Sequence, residues 1–223
     1  MSFYRFARAI LLSICKVVFR VHVVGKARVP PKGAYIVAPS HRSGFDIPFA
    51  AFITRRSIRF LAKEELFANT GSERLFTALG AIRVERGTAD RGALRALEGA
   101  LAAGHPVAVF PEGTRRSGAE IGPLFDGAAY LAVKLGVPIV PVGIGGSEAI
   151  LAKGKKLPRI RRVAVSVGRP LYPPTPEGRG RRGAAAKLTA QLHDELQRAF
   201  DDAERLAGAH HGPLTGPRDV TSD

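Results

Sequence analysis

A histidine and an aspartate five residues apart, His41 and Asp46, lie in the stretch Ala38-Pro39-Ser40-His41-Arg42-Ser43-Gly44-Phe45-Asp46-Ile47-Pro48. The apolar run before it, Tyr35 to Ala38, reads as a buried strand ended by Pro39, and Ile47 onward reads as a helix. Residues five apart on a continuous helix do not face each other. Across a loop entering a helix, however, Asp46 can fold back to the ring of His41. The carboxylate would then accept Nδ1–H and leave Nε2 free to take a proton, as in the His–Asp half of a catalytic triad. The competing reading is a structural histidine beside a helix-capping aspartate, and the pair alone does not decide between them.

The elements that must position this pair can be followed along the chain. Val21–Val24 alternates and reads as a strand, residues 47–54 as a short helix and 58–62 as another strand. Leu75–Leu79 closes a helix at Gly80, and Ala81–Val84 is a short strand leading into Glu85-Arg86-Gly87. Thr88 or Asp90 can cap the next helix, whose Leu94, Leu97 and Leu101 fall at helical spacing and which Gly104 stops. Pro106–Phe110 is a buried strand running into Pro111-Glu112-Gly113, and Asp126–Leu135 is a helix stopped by Gly136. Val137–Val142 is extended, but its prolines predict an edge or irregular position. Arg162–Val167 is a last strand. Pro173–Gly183 reads as a linker, and Leu188, Leu192, Leu196 and Phe200 form one stripe of a helix over residues 184–206.

Alternating strands and helices predict an α/β fold: a single layered domain with a largely parallel mixed sheet flanked by helices, spanning residues 21–206. Residues 207–223 are expected to be a disordered tail. Residues 1–20 are predicted to be an amphipathic membrane-interface helix. Phe3, Phe6, Ile10, Ile14 and Val17 share one side, and Arg5, Arg8, Lys16 and Arg20 lie opposite, with Leu12 and Phe19 intruding on that basic arc. The uncharged run from Ala9 to Cys15 is too short to span a bilayer, and no small-residue cleavage site follows it. Packing of this helix on the domain's own core is the alternative.

Composition narrows the function classes. The net charge of +15 predicts attraction to polyanions, whether nucleic acid, an anionic membrane surface or a phosphorylated substrate. Aromatic residues make up only 7%, and no helix-turn-helix or RNP-like signature is present, so no nucleic-acid partner is expected, and a basic nucleic-acid-binding module is kept as the non-enzymatic alternative. One cysteine, Cys15, excludes an intramolecular disulfide framework, and the histidines show no ligand spacing, so no metal and no resident cofactor are predicted. Gly145-Gly146-Ser147-Glu148-Ala149 approaches the nucleophile elbow of a serine hydrolase, with Ala in place of the second glycine.

In open α/β sheets ligands gather outside the carboxyl ends of the strands. Those ends deliver His41 with Asp46, then Lys63, then Arg86, then Glu112-Gly113-Thr114-Arg115-Arg116. Recurring cations around one His–Asp pair suit an anionic substrate held beside a general base. At this point the sequence resembles the glycerolipid acyltransferases typified by 1-acyl-sn-glycerol-3-phosphate (lysophosphatidic acid) acyltransferase. His41-x4-Asp46 is similar to that family's first motif, Gly80-Ala-Ile-Arg-Val-Glu-Arg86 to its second, Phe110-Pro-Glu-Gly-Thr-Arg115 to its third and Val137-Pro-Ile-Val-Pro141 to its fourth, in family order. Ser40 stands where the family carries Asn, and Arg116 where it carries Ser.

The resemblance implies transfer of a fatty acyl group from an acyl thioester donor, acyl-CoA or acyl carrier protein, to a lysophospholipid acceptor hydroxyl, giving phosphatidic acid at the cytoplasmic face of the cell membrane. His41 and Asp46 would be catalytic, and Lys63, Arg86 and Arg115 would bind the acceptor phosphate. Ser40, Gly113 and Thr114 would support them, and Glu112 would orient the arginines or the glycerol hydroxyl. Another lysolipid or a glycolipid is the alternative acceptor.

Overall fold

The computed structural model describes residues 3–84, 89–150, 159–174 and 180–208. The elements in chain order are α1 (Phe3–Val18), β1 (His22–Val24), β2 (Ile36–Pro39), α2 (Asp46–Ala50), β3 (Arg59–Lys63), α3 (Thr70–Ala78), β4 (Ala81–Val84), α4 (Ala89–Ala102), β5 (Val107–Ala108), α5 (Gly127–Leu135), β6 (Ile139–Gly145), β7 (Ala164–Val167) and α6 (Arg181–Ala207). The sheet runs in the order β1-β7-β6-β2-β5-β3-β4. Its pairings are parallel except β6 with β7, so the expected largely parallel mixed sheet is the one observed.

Successive strand side chains point to opposite faces, and the two core layers divide β2 accordingly. Tyr35 and Val37 pack with Phe49, Phe60, Val140 and Ile144 on the face that α1 and α2 cover. Ile36 and Ala38 pack with Leu97, Leu131, Leu188 and Leu192 under α4, α5 and α6. The predicted stripe of α6 is the buried one: Leu188, Leu192, Leu196 and Phe200 are all at most 1% exposed. Glycine lets α6 lie directly on β6. A Cβ at Gly143 would sit 2.0 Å from the carbonyl oxygen of Ala199, and one at Gly145 2.2 Å from the carbonyl carbon of Ala203.

Several expectations are corrected. β6 lies inside the sheet between β7 and β2, despite its prolines. The β6–β7 ladder ends at Val142↔Val167, and the next bridge, Ile139↔Leu171, is shifted by one residue. The extra residue lies on the β7 side, between Val167 and Leu171, and Pro141 faces that bulge, where its missing N–H breaks no ladder bond. β5 covers only two residues of the predicted 106–110 strand. Asp90 falls within the described span of α4, and Thr88 is outside the described residues. α6 begins at Arg181, inside the predicted linker. Residues 175–179 of that linker and 209–223 of the predicted tail are outside the described residues.

The N-terminal helix docks on the core through Leu11, Cys15 and Val18, with Phe19 just beyond its end. Leu11, Cys15 and Val18 lie between the predicted apolar and basic sides, so the helix packs along the border of its basic side. Arg8 on that side donates to the carbonyls of Ala51 and Thr54. The opposite face is left uncovered, with Phe6, Ile10, Ile14 and Val17 between 45% and 76% exposed. Among the described residues no helix is long and apolar enough to cross a membrane.

Candidate active site

β2 ends at Pro39, and the chain then turns through Ser40–Phe45 before α2 starts at Asp46. Asp46 is fully buried. Its Oδ2 accepts the backbone N–H groups of Arg42 and Ser43, each at 2.7 Å, and lies 2.9 Å from His41 Nδ1. An oxygen already receiving two N–H donors is an acceptor there, so the proton of the pair sits on Nδ1, and Nε2 is the ring nitrogen turned away from Asp46. Asp46 thus holds both the turn and the ring. Phe110, arriving from β5, stacks on the imidazole with ring centroids 4.0 Å apart. The His41 side chain remains 21% exposed, at the carboxyl end of the sheet. Phe19 buttresses the turn from below, against Phe45 at 5.8 Å and Phe49 at 5.5 Å.

Because β5 pairs directly with β2, the segment after β5 returns beside the histidine. The N–H of Arg116 donates to the His41 carbonyl at 2.8 Å, so the Arg115–Arg116 peptide lies against the histidine. Arg115 is half-buried and forms no ion pair with a described residue. Gly113 has φ +67°, a left-handed conformation that favours glycine at this turn. Thr114 is exposed. Lys63 closes β3, the strand beyond β5 and therefore roughly 10 Å across the sheet from β2. Its side chain is outside the described residues, as is Arg86, which follows β4.

Two of the supporting residues are built into the fold beside the site. Glu112 forms no hydrogen bond or ion pair with Arg115; its charged partner is Arg42. It is fully buried, and it accepts the backbone N–H of His41 at 3.0 Å. Ser40 is buried as well, and its Oγ accepts the Ile144 N–H at 3.0 Å, tying β2 to β6. Ser147 does not form a nucleophile elbow, because its hydroxyl is fully buried. Sequence reasoning missed Arg42 and Phe110. A lone arginine in a polar turn looks solvated, and its partner lies 70 residues away.

An apolar cavity of about 310 Å³ adjoins this turn, and its wall includes Gly44, two residues before Asp46, with Leu11 of α1, Phe60 of β3 and Phe76 of α3. A more open basic groove of about 420 Å³, lined by Arg8, Lys16, Lys26 and Arg55 among others, includes none of the residues above. No group of three or more His, Cys, Asp or Glu side chains among the described residues could hold a metal ion.

A family model described as Acyltransferase matches residues 20–145, more than half of the chain, including His41, Asp46, Glu112 and Arg115. The chain belongs to the Acyltransferase family. This acyltransferase is 28% identical over 170 residues to the 1-acyl-sn-glycerol-3-phosphate acyltransferase of Bacillus subtilis, covering 76% of the chain and 82% of the relative. It is 31% identical over 145 residues to the enzyme of that name from Chlamydomonas reinhardtii, covering 62% of the chain but 42% of the relative. It is 30% identical over 141 residues to the human alpha form, covering 61% of the chain and 50% of the relative. The chain thus spans half or less of the algal and human relatives' lengths. The crystal structure of the 1-acyl-sn-glycerophosphate (LPA) acyltransferase from Thermotoga maritima superposes with a TM-score of 0.64 at 26% identity, over 87% of this chain and 83% of that one. At family level the activity is acyl transfer on a glycerolipid-type substrate.

Proposed function

We propose that this acyltransferase moves a fatty acyl group from acyl-CoA or acyl carrier protein to the free hydroxyl of 1-acyl-sn-glycerol-3-phosphate, forming phosphatidic acid. The observation that carries the reading is the 2.9 Å contact between His41 Nδ1 and Asp46 Oδ2, with the imidazole accessible beside a cationic segment. Nε2 removes the acceptor hydroxyl's proton as its oxygen attacks the thioester carbonyl. A thioester is already activated, so no enzyme nucleophile is needed. The developing imidazolium is stabilised by the buried Asp46 carboxylate, and the proton then passes to the departing thiolate.

Arg115, with Lys63 and Arg86, holds the acceptor's phosphate, arginine suiting bidentate contact with phosphate oxygens. The apolar cavity beside Gly44 accommodates part of an acyl chain. The uncovered face of α1 lies in an anionic membrane surface, at the cytoplasmic face where the thioester donors are made, and the net charge of +15 favours that surface.

The test is mass spectrometry of products after incubating the purified protein with palmitoyl-CoA, oleoyl-CoA or acyl carrier protein thioesters and a panel of lysophospholipids and glycolipids. Phosphatidic acid as the main product, abolished in a folded His41→Ala variant, is expected. A different acylated lipid as main product would replace the acceptor, and full activity in His41→Ala would overturn the mechanism.

A further inference from the structure

We propose that Arg42, paired with Glu112, is a positioning residue that locks the main chain of His41 and the cationic segment after β5 into one unit. The proposal deepens the acyl-transfer reading and rests on it.

Arg42 is 1% exposed and the bulkiest of the fully buried side chains. A buried guanidinium is tolerated only when its charge is paired and its donors are used. Nη1 donates to both oxygens of Glu112 at 2.9 Å and to the His41 carbonyl at 3.3 Å. Nε donates to the Gly118 carbonyl at 3.3 Å and Nη2 to that of Glu120 at 2.8 Å. The guanidinium lies over the Phe200 ring of α6, 4.7 Å from its centroid. Glu112 completes the grip, accepting the N–H of His41 on Oε2 at 3.0 Å and that of Gly122 on Oε1 at 3.2 Å.

Both groups are sealed from solvent, so neither touches substrate. What they hold is main chain on either side of the site. Residues 116–122 have no regular secondary structure, yet side chains from three directions bind their backbone. Glu148 accepts the Gly118 N–H, Gln197 bonds Ile121 N–H and the Ala119 carbonyl, and His193 donates to the Ile121 carbonyl. Arg42 and its partner Glu112 are the two that also bind the histidine's main chain. An apolar residue would fill the same volume without the cost of burying charge. Only a planar fork can bind a carboxylate and three carbonyls at once, which a lysine's single ammonium cannot. The consequence is a fixed separation between the base and the arginine that meets the acceptor's phosphate.

The test is Arg42→Lys, which keeps the charge opposite Glu112 and gives up the fork. Misplacement by about 1 Å costs on the order of 100-fold in rate. The expected result is a folded protein whose kcat falls by about that factor while KM for the lysophospholipid rises severalfold and KM for acyl-CoA stays. A folded variant with a lower melting temperature but kcat and both KM values within twofold of the parent would overturn the proposal. If Arg42→Lys does not fold, the charge-free double variant Arg42→Met/Glu112→Met is read in the same way, and failure of both to fold counts against a positioning role. If the parent transfers no acyl group to any acceptor, the acyl-transfer reading falls by itself. The coupling is then decided by amide exchange at Gly118, Ile121 and Gly122 and by NMR titration of His41 in Arg42→Lys: changes in both uphold it, and anything less overturns it.

Discussion

Glu112 meets His41 at the peptide N–H, 3.0 Å from Oε2, whereas Asp46 meets it at the ring. The histidine is therefore held by two buried carboxylates: Glu112 fixes its peptide N–H, and Asp46 fixes the ring along with the Arg42 and Ser43 N–H groups, which an asparagine oxygen can still accept. Asp46→Asn should lower kcat by on the order of 10²–10⁴ with only a modest change in melting temperature. Glu112→Ala should instead destabilise the fold by about 3–5 kcal/mol, because it strands the buried Arg42 charge. Parallel thermal unfolding and steady-state kinetics distinguish the two, and equal effects of both variants on stability would contradict the division.

Cys15 faces the core from α1 and is 2% exposed. Burial raises its thiol pKa above the ordinary 9.0, so the native protein keeps it neutral and unreactive. The linkage has a definite sign. Above pH 9 the unfolded chain releases this proton while the folded chain retains it, so stability falls as pH rises past that point and is unaffected below it. Reaction with Ellman's reagent at pH 8 should be many times slower in buffer than in concentrated urea. Equal rates would mean that α1 does not stay docked.

Much of this site was legible in the sequence because its parts sit at strand ends, and strand ends are marked by local signals. The Tyr35–Ala38 run, Pro39 and the five-residue spacing to Asp46 placed the His–Asp contact. Of the recurring cations, the β2–β5 pairing brings the Arg115–Arg116 segment beside His41, while Arg86 and the Lys63 side chain lie outside the described residues. What stayed hidden depends on partners far away in sequence. Arg42 looks like a solvated turn residue until Glu112 arrives beside it through the β2–β5 pairing. The tolerance of β6 for Pro141 depends on a register shift against β7 and Leu171 that local propensity does not encode. The docking side of α1 was obscured for a related reason. The sequence does not say which side of the helix meets protein, and the packing of Leu11, Cys15, Val18 and Phe19 on the core decides it.

The uncovered arc of α1 leads to a prediction about surfaces. Phe6, Ile10, Ile14 and Val17 are exposed and unpartnered among the described residues, and a contiguous apolar strip on a strongly cationic protein fits an anionic bilayer. Replacing Ile10 and Ile14 with serine should reduce co-sedimentation with phosphatidylglycerol vesicles by at least about tenfold, since each side chain contributes roughly 1.5–3 kcal/mol when fully buried. Activity on monomeric, short-chain lysophospholipid should be kept, because neither residue lines the site. Unchanged vesicle binding would assign membrane contact to another surface.

The cavity beside Gly44 predicts acyl-chain selectivity. Leu75 of α3 belongs to its wall and is itself 42% exposed, so a larger side chain can be placed there without disturbing the core. Leu75→Trp should intrude on a space of about 310 Å³ and displace the end of a long chain. Each methylene forced back into water costs about 0.8 kcal/mol, or roughly fourfold in kcat/KM. Two displaced methylenes should therefore lower the preference for palmitoyl-CoA over decanoyl-CoA by more than about tenfold, leaving the rate with decanoyl-CoA nearly unchanged. A donor competition assay read by mass spectrometry measures that ratio directly. An unaltered ratio in a stably folded Leu75→Trp protein would mean that the chain runs elsewhere, for example along the membrane-facing side of α1.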